Sequence, residues 1–345
     1  MNLKDLSEKL RLSQTTVSRA LNGYPEVNET TRKRVVEAAR KHQYRPNLQA
    51  RTLATGRSMS IGHIIPMSRQ NELVNVVFSD FIAGAGLVYA AKGYNMTLTI
   101  VKDAGELDAY RAFAERGAID GVIVQAPAVA DRRISFLAEL DIPFLVHGRA
   151  SAITGRYAWL DINNERAFRE LTAHLTDLGH RRIALVNGLE TLDFAVCRRK
   201  GYTAGLQAVG VAPGTELMRT SDMSEPNGFV AATDLLALPD PPTAFLASSI
   251  VLALGIKRAI EARGLQIGRD VSVACFDDDL SCLPNAGDTP LFTAMRSSVR
   301  DAGARCAALL IERIASPHSP PPTELWEAEF VQGMSTGPVS TGSNA

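Results

Sequence analysis

Beyond Ser60 the chain keeps one rhythm: short apolar runs separated by stretches with helical spacing. Runs at 61–65, 96–101, 121–125, 144–147, 183–186, 244–247, 271–275 and 293–295 read as strands, and 80–92, 164–178, 198–209, 251–263 and 300–314 as helices among them. Strands that alternate with helices pair in parallel and are covered on both faces, so the body is α/β. Seven or eight such units exceed one small sheet and suit two doubly wound lobes.

Ahead of this body, the segment Leu-Ser-Gln-Thr-Thr-Val-Ser-Arg-Ala-Leu at 12–21 is two-sided. At about 100° per residue from a start after Ser13, Val17, Ala20 and Leu21 share one side, and Gln14, Thr15, Ser18, Arg19 and Asn22 the other. Amides, hydroxyls and a guanidinium, uninterrupted by a carboxylate, are the groups that bond base edges and phosphates. Ser13 is an N-cap that leaves free amides where a phosphate would approach. Alone, the segment fits a solvated amphipathic helix equally well. The preceding residues separate the two readings. Asn2 caps a helix with Leu3, Leu6 and Leu10 on one face, and Arg11 and Leu12 leave a tight connection, which is the pattern of a helix-turn-helix. Asn28 caps a third helix reaching about Gln43, with Val35, Val36, Ala38 and Ala39 toward its core. A unit this small is marginal by itself.

Charge supports a polyanionic partner. The formal net charge is zero, but residues 1–60 carry twelve Lys/Arg against five Asp/Glu, a net of +7, and the rest carries −7. Neutralised phosphates supply most non-specific affinity for DNA. The four cysteines are scattered without metal-ligand spacing and read as buried thiols of a reducing cytosol. The N-terminus is polar, with no signal peptide, and no apolar run nears the ~20 residues a bilayer requires, so export and membrane insertion are not expected.

An open α/β sheet binds its ligand beyond the carboxyl ends of its strands. The residues at those positions are Gln125, His147-Gly148-Arg149, Asp277 and Arg296, and Arg198 opens a helix shortly after the strand at 183–186. Forked donors beside a carboxylate suit the hydroxyls of a neutral polyol, which donate and accept at once. Enzyme signatures are weak. Gly84-Ala85-Gly86 lacks the third glycine of a dinucleotide fingerprint and does not open directly after a strand, so helix packing accounts for it better. Asp277-Asp278-Asp279 cannot all face one cation. There is no phosphate loop, nucleophile elbow or paired-histidine metal helix, so neither a cofactor, a metal nor catalysis is expected.

The motif Ser-Gln-Thr-Thr-Val-Ser-Arg-Ala-Leu-Asn at 13–22, with Thr31-Arg32 and Tyr44-Arg45-Pro46-Asn47, resembles the headpiece of the lactose-repressor (LacI/GalR) family of bacterial regulators. The resemblance implies a helix-turn-helix headpiece at 1–46, a hinge helix at 47–58 and a periplasmic-binding-protein-like α/β core of two doubly wound lobes at 59–331. The lobes would comprise 59–160 with 294–320, and 161–293 with 321–331, the chain crossing between them three times. The Gly-, Ser- and Thr-rich residues 332–345 are expected to be disordered. Gln14, Thr15 and Arg19 would read bases, Ser13, Thr16 and Asn22 would hold phosphates, Ser18 and Asn47 would join this surface, and Leu53 would wedge the minor groove. By composition alone, 47–58 is equally a bare linker. The effector set implied is Phe78, Arg198, Met223, Asp277 and Arg296, added to Gln125 and Arg149. Ser249-Ile250 stands where the family commonly has Asn-Asp, which shortens an amide contact to a hydroxyl at Ser249. The implied protein is a cytoplasmic, nucleoid-associated homodimeric repressor of a sugar operon. It would bind double-stranded inverted-repeat operator DNA and answer to a small sugar; His147-Gly148-Arg149 resembles members that regulate α-glucoside uptake. The alternative is a cytosolic α/β ligand-binding protein or enzyme with a basic front segment.

Overall fold

The computed structural model describes residues 2–21, 24–44, 57–66 and 76–339. Two compact units divide at Met59–Ser60. The first holds α1 (Leu3–Leu10), α2 (Gln14–Leu21) and α3 (Glu29–Lys41). Asn2 and Asp5 form a reciprocal capping box on α1, and the Asn28 side chain accepts the Thr31 amide to start α3. Leu6, Val17, Ala20, Val27, Val35 and Ala39 make the core. Val36 and Ala38 are only half-buried.

The second unit alternates as its apolar rhythm requires. One sheet is built from β1 (Ser60–Pro66), β2 (Asn95–Val101), β3 (Gly121–Gln125), β4 (Phe144–His147), β5 (Ala158–Ile162) and β11 (Thr323–Trp326). Its spatial order is β11-β5-β4-β3-β1-β2, with every pairing parallel. Its helices are α4 (Val76–Lys92), α5 (Glu106–Arg116), α6 (Arg132–Glu139) and α11 (Val299–Ala315). The other sheet is built from β6 (Ile183–Asn187), β7 (Met218–Thr220), β8 (Ala244–Ala247), β9 (Ser272–Asp277), β10 (Thr293–Arg296) and β12 (Glu329–Val331), ordered β12-β10-β9-β8-β6-β7. Here only the edge strand β12 is antiparallel. Around it lie α7 (Asn164–Asp177), α8 (Asp193–Ala208), α9 (Glu225–Leu236) and α10 (Ile250–Glu261).

The chain passes between sheets after β5, after β10 and after β11, which gives the three expected crossings. Two boundaries shift by one strand: β10 belongs to the second lobe and β11 to the first, the reverse of the 294–320 and 321–331 assignment. In-register pairing decides the first shift, since Met295 lies beside Phe276 and Arg296 beside Asp277.

The expected disorder from 332 onward does not hold for 332–339, which pack on the second lobe. Ser335 is wholly buried; its carbonyl accepts from the Val273 amide at 2.8 Å and its hydroxyl accepts from the Thr293 amide at 2.9 Å. The small residues that suggested disorder are what allow this close backbone approach. Residues 340–345 lie outside the described residues, as do Asn22, Asn47 and Leu53.

Candidate nucleic-acid interface and effector cleft

In the headpiece the Ser13 hydroxyl accepts from the Thr16 amide at 3.0 Å and pairs with the Thr16 hydroxyl at 2.8 Å, so this cap starts α2 as its sequence requires. Val17 and Ala20 turn inward, while Ser13, Gln14, Thr15 and Arg19 are exposed and Thr16 and Ser18 half-buried. The face therefore holds forked and hydroxyl donors on a packed support, with no carboxylate among them. Not every basic residue is free for a phosphate. Arg34 donates to the Leu10 carbonyl at 2.8 Å, and Arg32 donates to Tyr24 and Val27 carbonyls at 2.8 and 3.3 Å. Arg34 thereby ties α3 to the end of α1, and Arg32 ties α3 to the connection that precedes it.

In the core, the predicted residues fall into separate groups, at strand ends or on the helices that follow them. Phe78, in the first turn of α4, and Gln125, closing β3, line one small cavity with His63 and Arg133. The Gln125 side-chain nitrogen is buried without a hydrogen-bond partner. His147, beside Gln125 across the sheet, stacks on Phe81 with ring centroids 4.6 Å apart, and burial lowers its pKa to about 4.

Arg198 sits on α8 and is nearly wholly buried. Its Nε donates to Asn164 Oδ1 at 2.8 Å, its Nη1 donates to the Ser248 carbonyl, and its guanidinium lies 4.1 Å from the Phe276 ring centre and 4.9 Å from that of Phe194. Burial pulls this arginine down to about 10, still charged at neutral pH. Desolvation pushes Asp278 up to about 7 against the opposing pull of Arg198. Met223 is half-buried near Phe194: a Cβ placed on Gly188 would lie 3.2 Å from the Phe194 ring and 3.5 Å from the Met223 sulfur. Asp277, fully buried, accepts from Arg296 Nε at 3.1 Å and from the Asp279 amide at 2.9 Å. Ser249 caps α10, its hydroxyl accepting the Leu252 amide at 3.2 Å.

Arg149 stands apart from the Arg198 cluster. It lines a cavity of about 280 Å³ with Asp161, Asn163, Asn164, Arg166 and Cys197. Its guanidinium lies over Trp159, 5.3 Å from the ring centre, and its Nε is 3.5 Å from Asp161 Oδ2. Burial is the largest influence on Asp161 and pushes it up to about 6; Asp193 adds to the rise, and Arg149 and Arg198 oppose it. Ionising Asp161 thus costs more in the folded chain than in the unfolded one, and this residue withdraws stability as pH rises from about 4 to 6. Asp161→Asn is expected to raise stability at pH 7.5 by up to about 3 kcal/mol and to do almost nothing at pH 3.5. Urea unfolding at the two pH values measures this; an equal effect at both would contradict it.

Two carboxylates tie the lobes. Asp193, at the start of α8, accepts from the Ser151 amide at 2.7 Å and the Ser151 hydroxyl at 2.5 Å. Asp80, on α4, accepts from the Ser281 amide and hydroxyl, each at 2.7 Å, and from Arg300 at 2.7 Å. Asp161, Asn164, Asp193 and Asp80 escape a reading of the sequence because β5 carries an internal Asp that blurs its apolar run. The other three acquire meaning only through partners far along the chain.

Comparison with known proteins places this architecture. A model of bacterial regulatory proteins of the lacI family matches residues 2–47, and a model of a periplasmic binding protein-like domain matches 172–336. The HTH-type transcriptional regulator AglR of Rhizobium meliloti (strain 1021) is 43% identical over 340 residues, spanning 98% of this chain and 95% of that one. The HTH-type transcriptional regulator RafR of Escherichia coli is 32% identical over 280 residues, 80% of this chain and 82% of its own. The solved lac repressor dimer bound to operator and the anti-inducer ONPF matches with a TM-score of 0.82 at 25% identity, covering 98% of this chain and 99% of that one. These relatives are regulators of transcription and not enzymes. By its headpiece, its two-lobed core and its near full-length similarity to such regulators, the chain belongs to the LacI family of bacterial DNA-binding transcriptional regulators.

Proposed function

We propose that this regulator is a repressor of a sugar uptake or catabolism operon. It binds an inverted-repeat operator as a homodimer and changes its grip when a small sugar enters the cleft between the lobes. The observation that carries the reading is the exposed donor face of α2 on a packed, cationic three-helix unit. Gln14, Thr15 and Arg19 read base edges in the major groove, and Ser13, Thr16, Ser18, Asn22 and Asn47 hold the backbone. Leu53 opens the minor groove between half-sites. One unit this small reads few base pairs, so a second copy supplies the other half-site. Leu87 on α4 and Met96, Leu98 and Ile100 on the edge strand β2 are exposed apolar side chains that a second copy would cover. Acting on chromosomal DNA, the protein works in the cytoplasm at the nucleoid.

Phe78, Gln125, Arg149, Arg198, Met223, Ser249, Asp277 and Arg296 form the proposed effector surface. Its combination of three guanidinium forks, one carboxylate and an unpartnered amide favours sugar hydroxyls, and an α-glucoside fits this chemistry. A ligand that alters the angle between lobes must strain the Asp193–Ser151 and Asp80–Ser281 ties, and by linkage DNA must alter sugar affinity by the same factor.

The test is binding to a duplex carrying an inverted repeat, against a scrambled duplex, at two salt concentrations. A steep salt slope and a large preference for the repeat are expected. Arg19→Ala should weaken the preferred duplex by about 10- to 100-fold, with little change on scrambled DNA. Equal weakening on both would remove Arg19 from base readout.

A further inference from the structure

The turn after β3 is a part of the first lobe on which the second lobe rests. Its Pro127 carbonyl accepts from the Asp193 amide at 3.0 Å, and Ala128 pairs with Leu192 in an isolated antiparallel bridge, so the start of α8 docks on this turn. The Asp193 carboxylate meanwhile holds Ser151, and the Ala152 amide donates to the Val129 carbonyl at 3.0 Å. Residues 127–129 and 151–152 thus form one seat for Asp193. The place of α8 against the first lobe follows from the path of the chain at 125–129.

That path is one the chain does not favour unaided. Ala126 has φ +44°, a conformation that a residue with a Cβ holds only where its surroundings impose it. Arg133, on α6 and buried, bonds the backbone on both sides of it: Nη2 donates to the Gln125 carbonyl at 3.1 Å and to the Ala126 carbonyl at 3.4 Å. These carbonyls belong to the two peptide planes that flank Ala126, and fixing both planes fixes its φ and ψ. The same guanidinium grips Asp131 through Nε at 2.9 Å and Nη2 at 2.7 Å, and Nη1 reaches Glu106 on α5 at 3.2 Å. Asp131 in turn accepts from the Ala128 amide at 2.9 Å, so the turn is held at 125, 126 and 128 by one ion pair. A buried ion pair adds little net stability, because desolvation offsets its attraction. What a planar fork of fixed donors supplies here is geometry.

We propose that Arg133 is the positioning residue of the seam between the lobes. By holding both peptide planes of Ala126 it seats the start of α8 on the first lobe, and so sets the lobe arrangement that the grip on DNA follows. The last step rests on the repressor reading above, in which lobe arrangement and DNA affinity are linked. Arg133 acts there through the turn, from a place outside the donor face of α2 and outside the Arg198 cluster.

The test is hydrogen exchange of the full chain, read by mass spectrometry, in Arg133→Lys and Glu106→Gln. Lysine keeps a cation beside Asp131 so that the lobe folds, but one ammonium cannot hold Asp131 and two carbonyls in a single plane. Glu106→Gln removes the α5 arm of the cluster and leaves every bond to the turn. In Arg133→Lys the Asp193 amide is expected to exchange about 10-fold or more faster than in wild type, while amides of β6 and α3 stay within about twofold. Glu106→Gln should leave the Asp193 amide within about twofold of wild type. Affinity for a duplex that the wild-type protein enriches from a random library should change by about threefold or more in Arg133→Lys and hold in Glu106→Gln. An unchanged Asp193 amide in Arg133→Lys, an equal rise throughout β6, or an equal rise in Glu106→Gln overturns the positioning role. Faster exchange at Asp193 with unaltered DNA affinity keeps the seat and instead removes the link between lobe arrangement and DNA on which the repressor reading stands.

Discussion

Replacing Arg198 with alanine is expected to lower the free energy of unfolding by about 3–5 kcal/mol and to abolish stabilisation by any effector. The magnitude follows from what the guanidinium satisfies. Asn164 Oδ1 and the Ser248 carbonyl both lose a charged donor in a nearly dry setting, and Phe276 loses a cation 4.1 Å from its ring centre. Asp278, already at about 7 with Arg198 opposing its desolvation, moves higher and is neutral at physiological pH in the variant. Arg198→Lys keeps a charge on the same helix but cannot reach both oxygen acceptors with one planar fork, so it is expected to fall between wild type and alanine. Urea unfolding gives the stability, and thermal shifts with a sugar panel give the linkage. Wild-type stability and wild-type shifts in Arg198→Ala would remove this residue from the centre of the cleft.

Arg198 was legible in the sequence because Arg-Arg-Lys-Gly-Tyr is a local motif and because its position after β6 follows from strand-helix alternation. The face of α2 was legible for a related reason, since helical spacing alone decides which of Gln14, Val17 and Arg19 shares a side with which. The Arg149–Asp161 pair was not. Half of it sits on β5, whose sequence Ala-Trp-Leu-Asp-Ile mixes a carboxylate into the strand, and the other half follows β4. Only the parallel pairing of those strands brings the two side chains together. The edge strands β11 and β12 escaped for a similar reason. Thr-Glu-Leu-Trp and Glu-Phe-Val are short and half polar because one side of each meets water, and they gain their identity from β5 and β10.

The tail shows the opposite error, in which composition outweighed geometry. Gly, Ser and Thr at 333–337 suggested a chain without a core. Yet a Cβ on Gly333 would come within 2.3 Å of the Phe292 backbone, so the small residue is what lets the strap lie flat against the second lobe. Low hydrophobicity signals disorder when there is nothing to hydrogen-bond to. Here Ser335 and Thr336 bond to Thr293, in the adjacent strand.

Glycine gives the sharpest remaining test, because two glycines two residues apart are expected to respond with opposite sign. Gly84 and Gly86 both lie in α4, but residues separated by two point to different sides of a helix. A Cβ on Gly84 would sit 1.9 Å from the Arg300 carbonyl oxygen, and one on Gly303 would sit 2.1 Å from that of Phe81, so α4 and α11 meet backbone to backbone. Gly84→Ala must push these helices apart. Since α11 also covers β3, β4 and β5, a cost of about 3 kcal/mol or more is expected, at or beyond the upper end for overpacking. A Cβ on Gly86 meets nothing within 4 Å, so Gly86→Ala should instead stabilise by about 1 kcal/mol through helix propensity alone. Thermal or urea unfolding of the two variants reads both signs. Were Gly84 and Gly86 parts of a phosphate-binding turn, their geometry would be that of a strand-to-helix loop; inside a continuous helix, close packing is what Gly84 provides, and equal stabilities for the two variants would refute it.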